Sequence, residues 1–513
     1  MTQMNLGQFS LTFVFAALLS STAQASDSTA DRCDTLRNLS IPTVRIETAA
    51  LFDGAFTPPK GDALIGLTKF CRVVGSAHPS ASSKIQFEVW LPSDNWNGKY
   101  LQVGNGGFAG AVPHSAMANG LRQAYAVAGT DDGTAPAGDP SFLRDADRVQ
   151  DWGNRAPHST AIAAKKIIDA FYGQSAKQAY FQGCSKGGQE AMILAQRYPD
   201  DFDGLIGGNP VFDWTRAMAQ WIWNAKSYSV LSASEHATLH AHMLKMCSRS
   251  TADVIDGVIM NPSVCKPELD VLACADGKID GCLSKNAIEA VKRIYAGPTN
   301  PRTHEKIYPG MPYGSEGTPE DMGAYGWRGT AERVTSLAQR SFGVGLFDDA
   351  NWDWRNFDFD RDLDNALKKY APANEATSTD LSKFKARGGK LILYNGVDDP
   401  LYSVDHLVDW YSALAKQAGS IANAQEYVRL FLAPGMGHCG GGPGPNVVDP
   451  LPLLAAWVER GEAPAAMPAT KFKDNDIKNG IAATRPLCAW PQVARYRGTG
   501  SMQEARSFQC TTP

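Results

Sequence analysis

The chain has 513 residues, of which 43% are hydrophobic and 20% charged, and its formal net charge is −4. These values are typical of a globular protein with a sizeable core, organised as two or three domains or as one large elaborated domain. The nearly balanced charge and the lack of a basic run argue against a nucleic-acid partner.

The first 25 residues have the features of a secretory signal peptide. They carry no acidic or basic side chain, include the apolar run Phe9–Leu19, and end in Ala23-Gln24-Ala25, a small-x-small cleavage pattern. The usual basic residue near the start is missing, so a short buried helix is the alternative. No later stretch is apolar for the ~20 residues that a membrane span needs. We therefore expect a signal peptide at 1–25, no membrane span, and a secreted or periplasmic protein.

The elements that follow alternate between strand and helix patterns. Apolar runs at 84–91, 99–104 and 124–130 predict strands, and apolar residues at helical spacing predict a helix over 159–171 that ends at Gly173. A strand at 179–182, a helix at 189–196 and a strand at 204–208 come next. This alternation favours an α/β fold with a parallel sheet and crossover helices.

The alternation stops at about residue 212 and resumes after residue 378. The segment 212–378 is rich in Trp, Gly, Pro and Asp and has weak periodicity, whereas 390–400 and 426–440 contain apolar strand patterns. We therefore expect a core built from 26–211 and 379–513, with 212–378 inserted as a separate domain.

The chain contains ten cysteines and no C-x-x-C spacing. An even number of cysteines in an exported chain predicts disulfide bonds. The sequence does not determine their connectivity, but the spacing suggests local pairs, which leaves Cys184 and Cys439 as distant residues. The local pairs are Cys33 with Cys71, Cys247 with Cys265, Cys274 with Cys282, and Cys488 with Cys510.

The stretch GCSKG at 183–187 lies between a predicted strand and a predicted helix. In that context the G-x-S-x-G pattern predicts a nucleophile elbow, a sharp turn that exposes Ser185 Oγ. A serine nucleophile needs a base within hydrogen-bond reach and an acid that orients the base. In α/β-hydrolases the acid follows the serine in the chain and the histidine comes last. His438 follows the last predicted strand, while Asp398 and Asp399 both follow the strand before it, so two candidates for the acid remain.

A cysteine adjoins each of two candidate catalytic residues, because Cys184 precedes Ser185 and Cys439 follows His438. If Ser185 and His438 are hydrogen-bonded, the two cysteines can come within the Cα separation of a disulfide, about 4.4–6.8 Å. Such a bridge would restrict the movement of the base. The alternative, Cys184 as the nucleophile, is disfavoured because a side chain at the preceding position of the elbow points away from the site.

The glycine-rich stretch GNGG at 104–107 follows another predicted strand. Its bare backbone would let a substrate carbonyl approach, so the amides of Gly106 and Gly107 are candidate oxyanion donors beside the amide of Lys186. The alternative is an ordinary glycine-rich turn.

Taken together, these motifs resemble those of the tannase and feruloyl esterase family of secreted α/β-hydrolases. The resemblance covers nearly the whole mature chain, including the cysteine layout, and rests on VGNGGFAG (103–110), GCSKGG (183–188), RYPDDFDGLIGGNP (197–210), LILYNGVDDPL (391–401) and PGMGHCGGGPGP (434–445). It implies an α/β-hydrolase fold with a large inserted lid domain, here 212–378. It also implies a Cys184–Cys439 disulfide and catalytic Ser185, Asp399 and His438, because the family's G-x-x-D-P-L spacing from Gly396 selects Asp399.

The resemblance further implies a serine esterase that needs no cofactor for catalysis and acts on a small aromatic ester. Feruloyl (hydroxycinnamoyl) esters are our first choice because they define the broadest subgroup; galloyl esters and mono(2-hydroxyethyl) terephthalate are the alternatives. A peptidase of the same fold and a non-catalytic secreted binding protein are alternatives from other classes. The complete set of serine, acid and histidine argues against the binding protein. The sequence does not determine the oligomeric state.

The resemblance also suggests two features of the lid. Family lids often bind calcium through a C-D-x-x-D-G-x-x-D-G loop, of which Asp253 and Asp256 remain here, while Ser248 stands in place of the first aspartate. A structural calcium ion is therefore expected with one carboxylate missing from its ligands; the alternative is a disulfide-closed loop with solvated aspartates. Arg340 and Phe342 are candidate contacts for the acid portion of the substrate.

Overall fold

The structure is a computed structural model that describes Met1 and residues 29–248, 253–275, 280–317, 326–327 and 330–513. Apart from Met1, the predicted signal peptide at 1–25 lies outside the described residues.

The part of the chain before residue 212 alternates strands and helices, as the sequence predicts. The strands are β1 (Val44–Phe56), β2 (Leu64–Ala77), β3 (Ile85–Pro92), β4 (Lys99–Val103), β5 (Ala126–Thr130), β6 (Gln178–Cys184) and β7 (Gly204–Gly208). The α-helices are α1 (Thr29–Thr35), α2 (His114–Arg122), α3 (Ala146–Gln150), α4 (Ala156–Tyr172) and α5 (Lys186–Arg197).

Helices dominate the described part of the segment between residues 212 and 378. It contains α6 (Trp214–Tyr228), α7 (Ala233–Cys247), α8 (Lys285–Ala296), α9 (Ala331–Ala338) and α10 (Arg361–Asn374), with one short hairpin of β8 (Val254–Ile255) and β9 (Val258–Ile259).

The last part of the chain returns to alternating strands and helices. The helices are α11 (Ser382–Ala386), α12 (Asp405–Gln417), α13 (Ile421–Gln425) and α14 (Leu451–Arg460). The strands are β10 (Lys390–Gly396), β11 (Val428–Ala433), β12 (Val447–Val448), β13 (Ala466–Phe472), β14 (Ile481–Cys488), β15 (Val493–Tyr496) and β16 (Phe508–Thr511).

Nine strands form the central sheet, in the order β1-β2-β3-β5-β4-β6-β7-β10-β11. The six strands from β5 to β11 run parallel, and β1, β2 and β3 are added antiparallel at one edge. This mixed, mostly parallel sheet with crossover helices is the α/β-hydrolase arrangement that the sequence predicts. β10 returns to the sheet beside β7 after the intervening segment, so the two parts of the core share one sheet.

The long hairpin of β1 and β2 was not predicted from the sequence. β1 has only two buried side chains in its 13 residues, because this edge strand is largely exposed to solvent. An exposed strand lacks the alternation of apolar and polar side chains by which half-buried strands are identified.

Helices cover both faces of the sheet, and their apolar side chains form its core. On one face Ile167 of α4, Met192 of α5 and Leu414 of α12 are buried; on the other, Met117 of α2 and Leu454 of α14 are buried. A sheet covered on both faces buries its central strands completely, and every residue of β5 and β7 is buried.

Aromatic side chains join the α6–α10 segment to the sheet domain. Trp214 at the start of α6 packs edge-to-face against Trp152, with ring centroids 4.8 Å apart, and lies 5.7 Å from Phe108. Such an aromatic pair contributes about 0.5–1.5 kcal/mol beyond the burial of its area. The contact matters for the site because Phe108 directly follows the Gly104–Gly107 loop.

Candidate active site

Five adjacent parallel strands end at the same edge of the sheet, and each is followed by a residue of the candidate site. The Gly104–Gly107 loop follows β4, Ser185 follows β6, and Asn209 follows β7. Asp399 and His438 lie in the loops that follow β10 and β11. Residues that are up to 334 positions apart, from 104 to 438, therefore meet at one edge, where ligands bind in open α/β sheets.

Ser185 occupies the sharp turn between β6 and α5. Its φ of 64° and ψ of −115° lie outside the regions that ordinary residues favour, which is the strained geometry of a nucleophile elbow. Glycines make this turn sterically feasible: a Cβ at Gly183 would approach Gly187 to 2.6 Å, and a Cβ at Gly188 would approach the Gly208 carbonyl oxygen to 2.3 Å. The hydroxyl of the half-buried Ser185 is thus held at the end of the strand.

His438 connects Ser185 to Asp399 by two hydrogen bonds. Its Nε2 lies 2.8 Å from Ser185 Oγ, and its Nδ1 lies 2.7 Å from Asp399 Oδ2. Asp399 has no exposed surface and His438 is 9% exposed. With a proton on Nδ1, the imidazole donates to Asp399 and presents a lone pair to the serine hydroxyl, as a general base must.

Three neighbouring residues contact the acid or the imidazole and orient them. Asn209 Nδ2 donates to Asp399 Oδ2 at 2.8 Å, and the Leu401 amide donates to Asp399 Oδ1 at 2.9 Å. The Tyr402 ring packs edge-on against the imidazole, with centroids 5.5 Å apart, and its hydroxyl donates to the Asn209 carbonyl oxygen. Asp398, the other candidate for the acid, is 3% exposed, and its amide donates to the Met436 carbonyl oxygen.

A disulfide joins the elbow to the histidine loop. Cys184 and Cys439 are bonded, with their Cα atoms 6.1 Å apart. The other bonded pairs are Cys33–Cys71, Cys247–Cys265, Cys274–Cys282 and Cys488–Cys510. No cysteine of the described chain is free, so no thiol competes with Ser185 at this edge.

The three candidate oxyanion donors are the backbone amides of the residue after Ser185 and of two glycines in the loop after the adjacent strand β4. Among the described residues, the amides of Gly106, Gly107 and Lys186 donate to no protein acceptor. Gly106 is exposed, and a Cβ added at Gly106 or Gly107 would meet no heavy atom within 4 Å. Open space and free donors next to a serine hydroxyl are what an oxyanion hole requires.

The two candidate substrate contacts in the inserted segment lie in different environments. Phe342 has no exposed surface, and its ring stacks on Phe357 with centroids 4.8 Å apart. Phe342 therefore lies within an aromatic core in this structure, and its contact with the substrate stays a prediction. Arg340 is partly exposed; its guanidinium lies 4.8 Å from the Phe108 ring centre and donates to the Gly138 carbonyl oxygen. It therefore remains a candidate beside the oxyanion loop.

The proposed calcium ligands lie in the α7–β9 region of the inserted segment. Asp256 Oδ2 accepts a hydrogen bond of 2.9 Å from Gln503 Nε2. Within the described ranges, no three Asp, Glu, His or Cys side chains converge as metal ligands, and residues 249–252, between Ser248 and Asp253, lie outside those ranges. Calcium binding by Asp253 and Asp256 stays a prediction; a melting curve with and without a chelator would test it.

Sequence reasoning assigned no role to Asn209 or Tyr402. Asn209 belongs to the GGNP stretch at 207–210, and its φ of 37° is positive, which few residues other than glycine, Asn and Asp tolerate. A polar residue after a buried strand was the available signal. What the sequence did not reveal was that β7 lies between the serine strand and the acid strand.

No helix in the described part of the chain is both long enough and apolar enough to span a bilayer.

The sequence and fold were compared with those of known proteins. A sequence model of the family described as tannase and feruloyl esterase matches residues 71–511. An uncharacterized esterase from Xanthomonas campestris is 36% identical over 96% of this chain and 92% of its own length. The mono(2-hydroxyethyl) terephthalate hydrolase of Piscinibacter sakaiensis is 30% identical over 91% of this chain and 88% of its own length.

The fold is similar to that of a solved fungal enzyme. The crystal structure of feruloyl esterase B from Aspergillus oryzae matches with a TM-score of 0.84 and 25% identity. The match covers 94% of this chain and 100% of the fungal chain. The similarity therefore extends over the sheet and the inserted segment together.

Proposed function

The chain belongs to the tannase and feruloyl esterase family and is an esterase; we propose that it cleaves carboxylic esters of aromatic acids through Ser185, His438 and Asp399. The observation that carries the proposal is the unbroken pair of hydrogen bonds from Ser185 Oγ through His438 to Asp399, 2.8 and 2.7 Å long. Serine, histidine and aspartate in this geometry support nucleophilic catalysis on unrelated folds.

In the acylation step, His438 Nε2 accepts the proton of Ser185 as Oγ attacks the ester carbonyl carbon. Asp399 accepts a hydrogen bond from Nδ1 and stabilises the imidazolium that forms. The amides of Lys186 and of Gly106 or Gly107 donate to the oxyanion of the tetrahedral intermediate. His438 then protonates the leaving alcohol, and the acyl group remains on Ser185.

In the deacylation step, a water molecule takes the place of the alcohol. His438 accepts a proton from the water, which attacks the acyl carbonyl, and the same amides stabilise the second oxyanion. The imidazolium returns the proton to Ser185 Oγ as the carboxylic acid leaves. No cofactor takes part in either step.

The rest of the proposal concerns the organisation of the chain. Residues 26–211 and 379–513 form the catalytic domain, 212–378 form a lid over the strand ends, and the first 25 residues direct export. Five disulfide bonds in the described chain support an oxidising compartment outside the cytosol.

Feruloyl (hydroxycinnamoyl) esters are the proposed substrate class. The TM-score of 0.84 to feruloyl esterase B, which includes the inserted segment, supports this choice. Mono(2-hydroxyethyl) terephthalate is the second candidate, supported by the 30% identity to a terephthalate monoester hydrolase. Galloyl esters are the third, because the family includes tannases.

A substrate panel tests this proposal. We expect the highest kcat/KM on methyl ferulate, compared with methyl gallate, mono(2-hydroxyethyl) terephthalate and a peptide substrate. A fluorophosphonate should label wild-type protein once, at Ser185, and should not label Ser185→Ala. Absence of labelling on folded wild-type protein would contradict the serine mechanism, and preferential cleavage of the peptide would contradict the esterase proposal.

A further inference from the structure

Three ionisable side chains are buried next to the candidate oxyanion donors. Asp132, Lys186 and Glu190 each have no exposed surface. Lys186 Nζ donates to Gln189 Oε1 at 2.8 Å and lies 3.2 Å from Glu190 Oε1. Although the mechanism above uses the backbone amide of Lys186, it uses none of these three side chains. Buried charges are costly unless they are paired, so their position calls for an explanation.

Glu190 connects the two sides of the oxyanion hole. Its Oε1 is paired with Lys186, the residue that directly follows the serine, and its Oε2 accepts a hydrogen bond of 3.3 Å from the Asn105 amide. Asn105 directly precedes Gly106, and its carbonyl oxygen accepts a hydrogen bond of 2.8 Å from the Gly187 amide. One carboxylate thus contacts the elbow through a side chain and the glycine loop through the backbone.

The contact between Glu190 and the loop depends on a glycine. A Cβ added at Gly104 would come within 2.7 Å of Glu190 Oε2. The absence of a side chain at Gly104 therefore lets the carboxylate reach the backbone of the loop.

The buried charges balance if one of the two carboxyl groups keeps its proton. Burial raises the pKa of Asp132 well above its usual range, and the neighbouring Glu190 carboxylate raises it further against the opposing effect of Lys186. Among the described residues, neither carboxyl oxygen of Asp132 has a hydrogen-bond partner, and Glu190 is the neighbouring carboxylate that raises its pKa. A protonated Asp132 can donate to Glu190, which leaves one lysine and one carboxylate as the ion pair.

We propose that Glu190 is a positioning residue. It holds the Lys186 amide and the Gly106–Gly107 amides at the relative positions from which they donate hydrogen bonds to the oxyanion. The inference rests on the proposed serine esterase function. Because oxyanion donors bind the transition state more tightly than the substrate, their displacement lowers kcat rather than raising KM. A displacement of about 1 Å can cost about 100-fold in rate.

Glu190→Gln tests the proposal with little change in shape. An amide cannot accept from both Lys186 and Asn105, because one of its two ends is a donor. We expect kcat on methyl ferulate to fall at least about tenfold while KM changes less than about threefold. A merely structural role would lower the melting temperature of the variant without this fall in kcat.

Glu88→Gln is the matched control. Glu88 is 4% exposed and accepts hydrogen bonds from Arg72 at 2.8 Å and from His114 at 3.1 Å. It lies on β3, which β5 and β4 separate from the serine strand β6. This variant also removes a buried, paired carboxylate, so we expect a lower melting temperature and an unchanged kcat.

The double variant Glu190→Gln/Lys186→Met covers the case in which Glu190→Gln does not fold. Replacing both partners of a buried ion pair costs little stability or none, so the double variant should melt near the wild type. Its kcat should still be at least about tenfold lower, because the Asn105 amide and the elbow have lost their common partner. A wild-type kcat in the double variant, or in a folded Glu190→Gln, would overturn the inference.

Fluorophosphonate titration separates failure of this inference from failure of the proposed function. If wild-type protein is not labelled at Ser185, the serine mechanism fails and the inference fails with it. If wild type and variants are labelled to the same final extent and kcat is also equal, only the role of Glu190 is refuted. Slower labelling of Glu190→Gln to the full extent supports the inference, since phosphonylation uses the same donors.

Discussion

Asn209 Nδ2 donates a 2.8 Å hydrogen bond to Asp399 Oδ2, the carboxylate oxygen that also accepts from His438. Asn209 follows β7, the strand between the serine strand β6 and the acid strand β10. Each of these three strands is therefore followed by a residue of one hydrogen-bonded chain, which runs from Ser185 through His438 to Asp399 and Asn209. Asn209, after the middle strand, helps to orient the acid.

Asn209→Ala should reduce turnover without removing any of the three proposed catalytic residues. A hydrogen bond to a charged group is worth about 1.5–3 kcal/mol, so we expect kcat to fall about tenfold or more. Steady-state kinetics on methyl ferulate provide the measurement. Asn97→Ala is the control, because Asn97 is exposed and precedes β4, away from the strand ends that carry the site. Equal kcat values for the two variants would contradict the role of Asn209.

The two adjacent aspartates should respond differently to the same substitution. Asp399→Asn leaves the imidazole in the wrong tautomer, and we expect kcat to fall by about 10⁴. Burial raises the pKa of Asp398 well above its usual range, and the charge of Glu316 adds to the effect. This shift disfavours a charge on Asp398, and the His438 imidazole bonds Asp399 instead, so Asp398→Asn should change kcat less than about threefold. A larger loss for Asp398→Asn than for Asp399→Asn would show that the acid is misassigned.

The Cys184–Cys439 disulfide should affect activity more than stability. Without it, the histidine loop is no longer tied to the elbow, and we expect Cys184→Ala/Cys439→Ala to lower kcat about ten- to 100-fold. Cys488→Ala/Cys510→Ala removes a disulfide in the last part of the chain and should lower the melting temperature with kcat unchanged. The measurement is kcat and melting temperature for both double variants. Unchanged turnover in the first would refute the idea that this bond positions His438.

The junction of the inserted segment should make stability depend on pH. Glu375, after α10, is 8% exposed and accepts a 3.0 Å hydrogen bond from the Thr215 amide at the start of α6. Burial and then the charge of Asp213 raise the pKa of Glu375 from 4.5 to about 8. His406 and Arg216 lie at 3.0 and 3.2 Å from Asp213, so a histidine and an arginine also face this junction.

The sign of this effect follows from proton binding. Between pH 4.5 and about 8 the folded state holds a proton on Glu375 that the unfolded chain has released. The free energy of unfolding should therefore fall as pH rises through this window. Glu375→Gln removes the titrating group, so its melting temperature should fall less than that of wild type between pH 5 and pH 8. Other groups with shifted pKa values, such as Asp131, contribute equally to both proteins. If the melting temperatures of wild type and Glu375→Gln changed in parallel with pH, Glu375 would not be the titrating group.

The fold class and much of the candidate site could be predicted from the sequence because both rest on local patterns. The alternation of strands and helices predicts the parallel sheet, and the strand–GCSKG–helix pattern identifies Ser185 without knowledge of the other residues. The chain order of serine, acid and histidine in α/β-hydrolases then predicts that the acid and the histidine lie in the loops after β10 and β11. The family resemblance was needed to choose Asp399 over Asp398 and to infer the inserted lid and the ester chemistry.

Other features depend on which segments become neighbours, and no local pattern reports this. The sequence suggested Phe342 as a substrate contact but could not show that it packs against Phe357 and is buried. The exposed strand β1 lacks the alternation that would have identified it. The sequence predicted a role for the backbone amide of Lys186 but did not indicate that its side chain is buried against Glu190.

The sequence by itself identified the candidate catalytic groups of this protein: a hydroxyl on a strained turn, an imidazole and a carboxylate in the order that an α/β-hydrolase requires. The tertiary structure decided what holds those groups in place, namely Asn209 against Asp399 and Glu190 between the elbow and the glycine loop. The physical reason is that a turn is determined by the few residues within it. A hydrogen bond between two strand ends, in contrast, exists only after the order of strands in the sheet has brought them together.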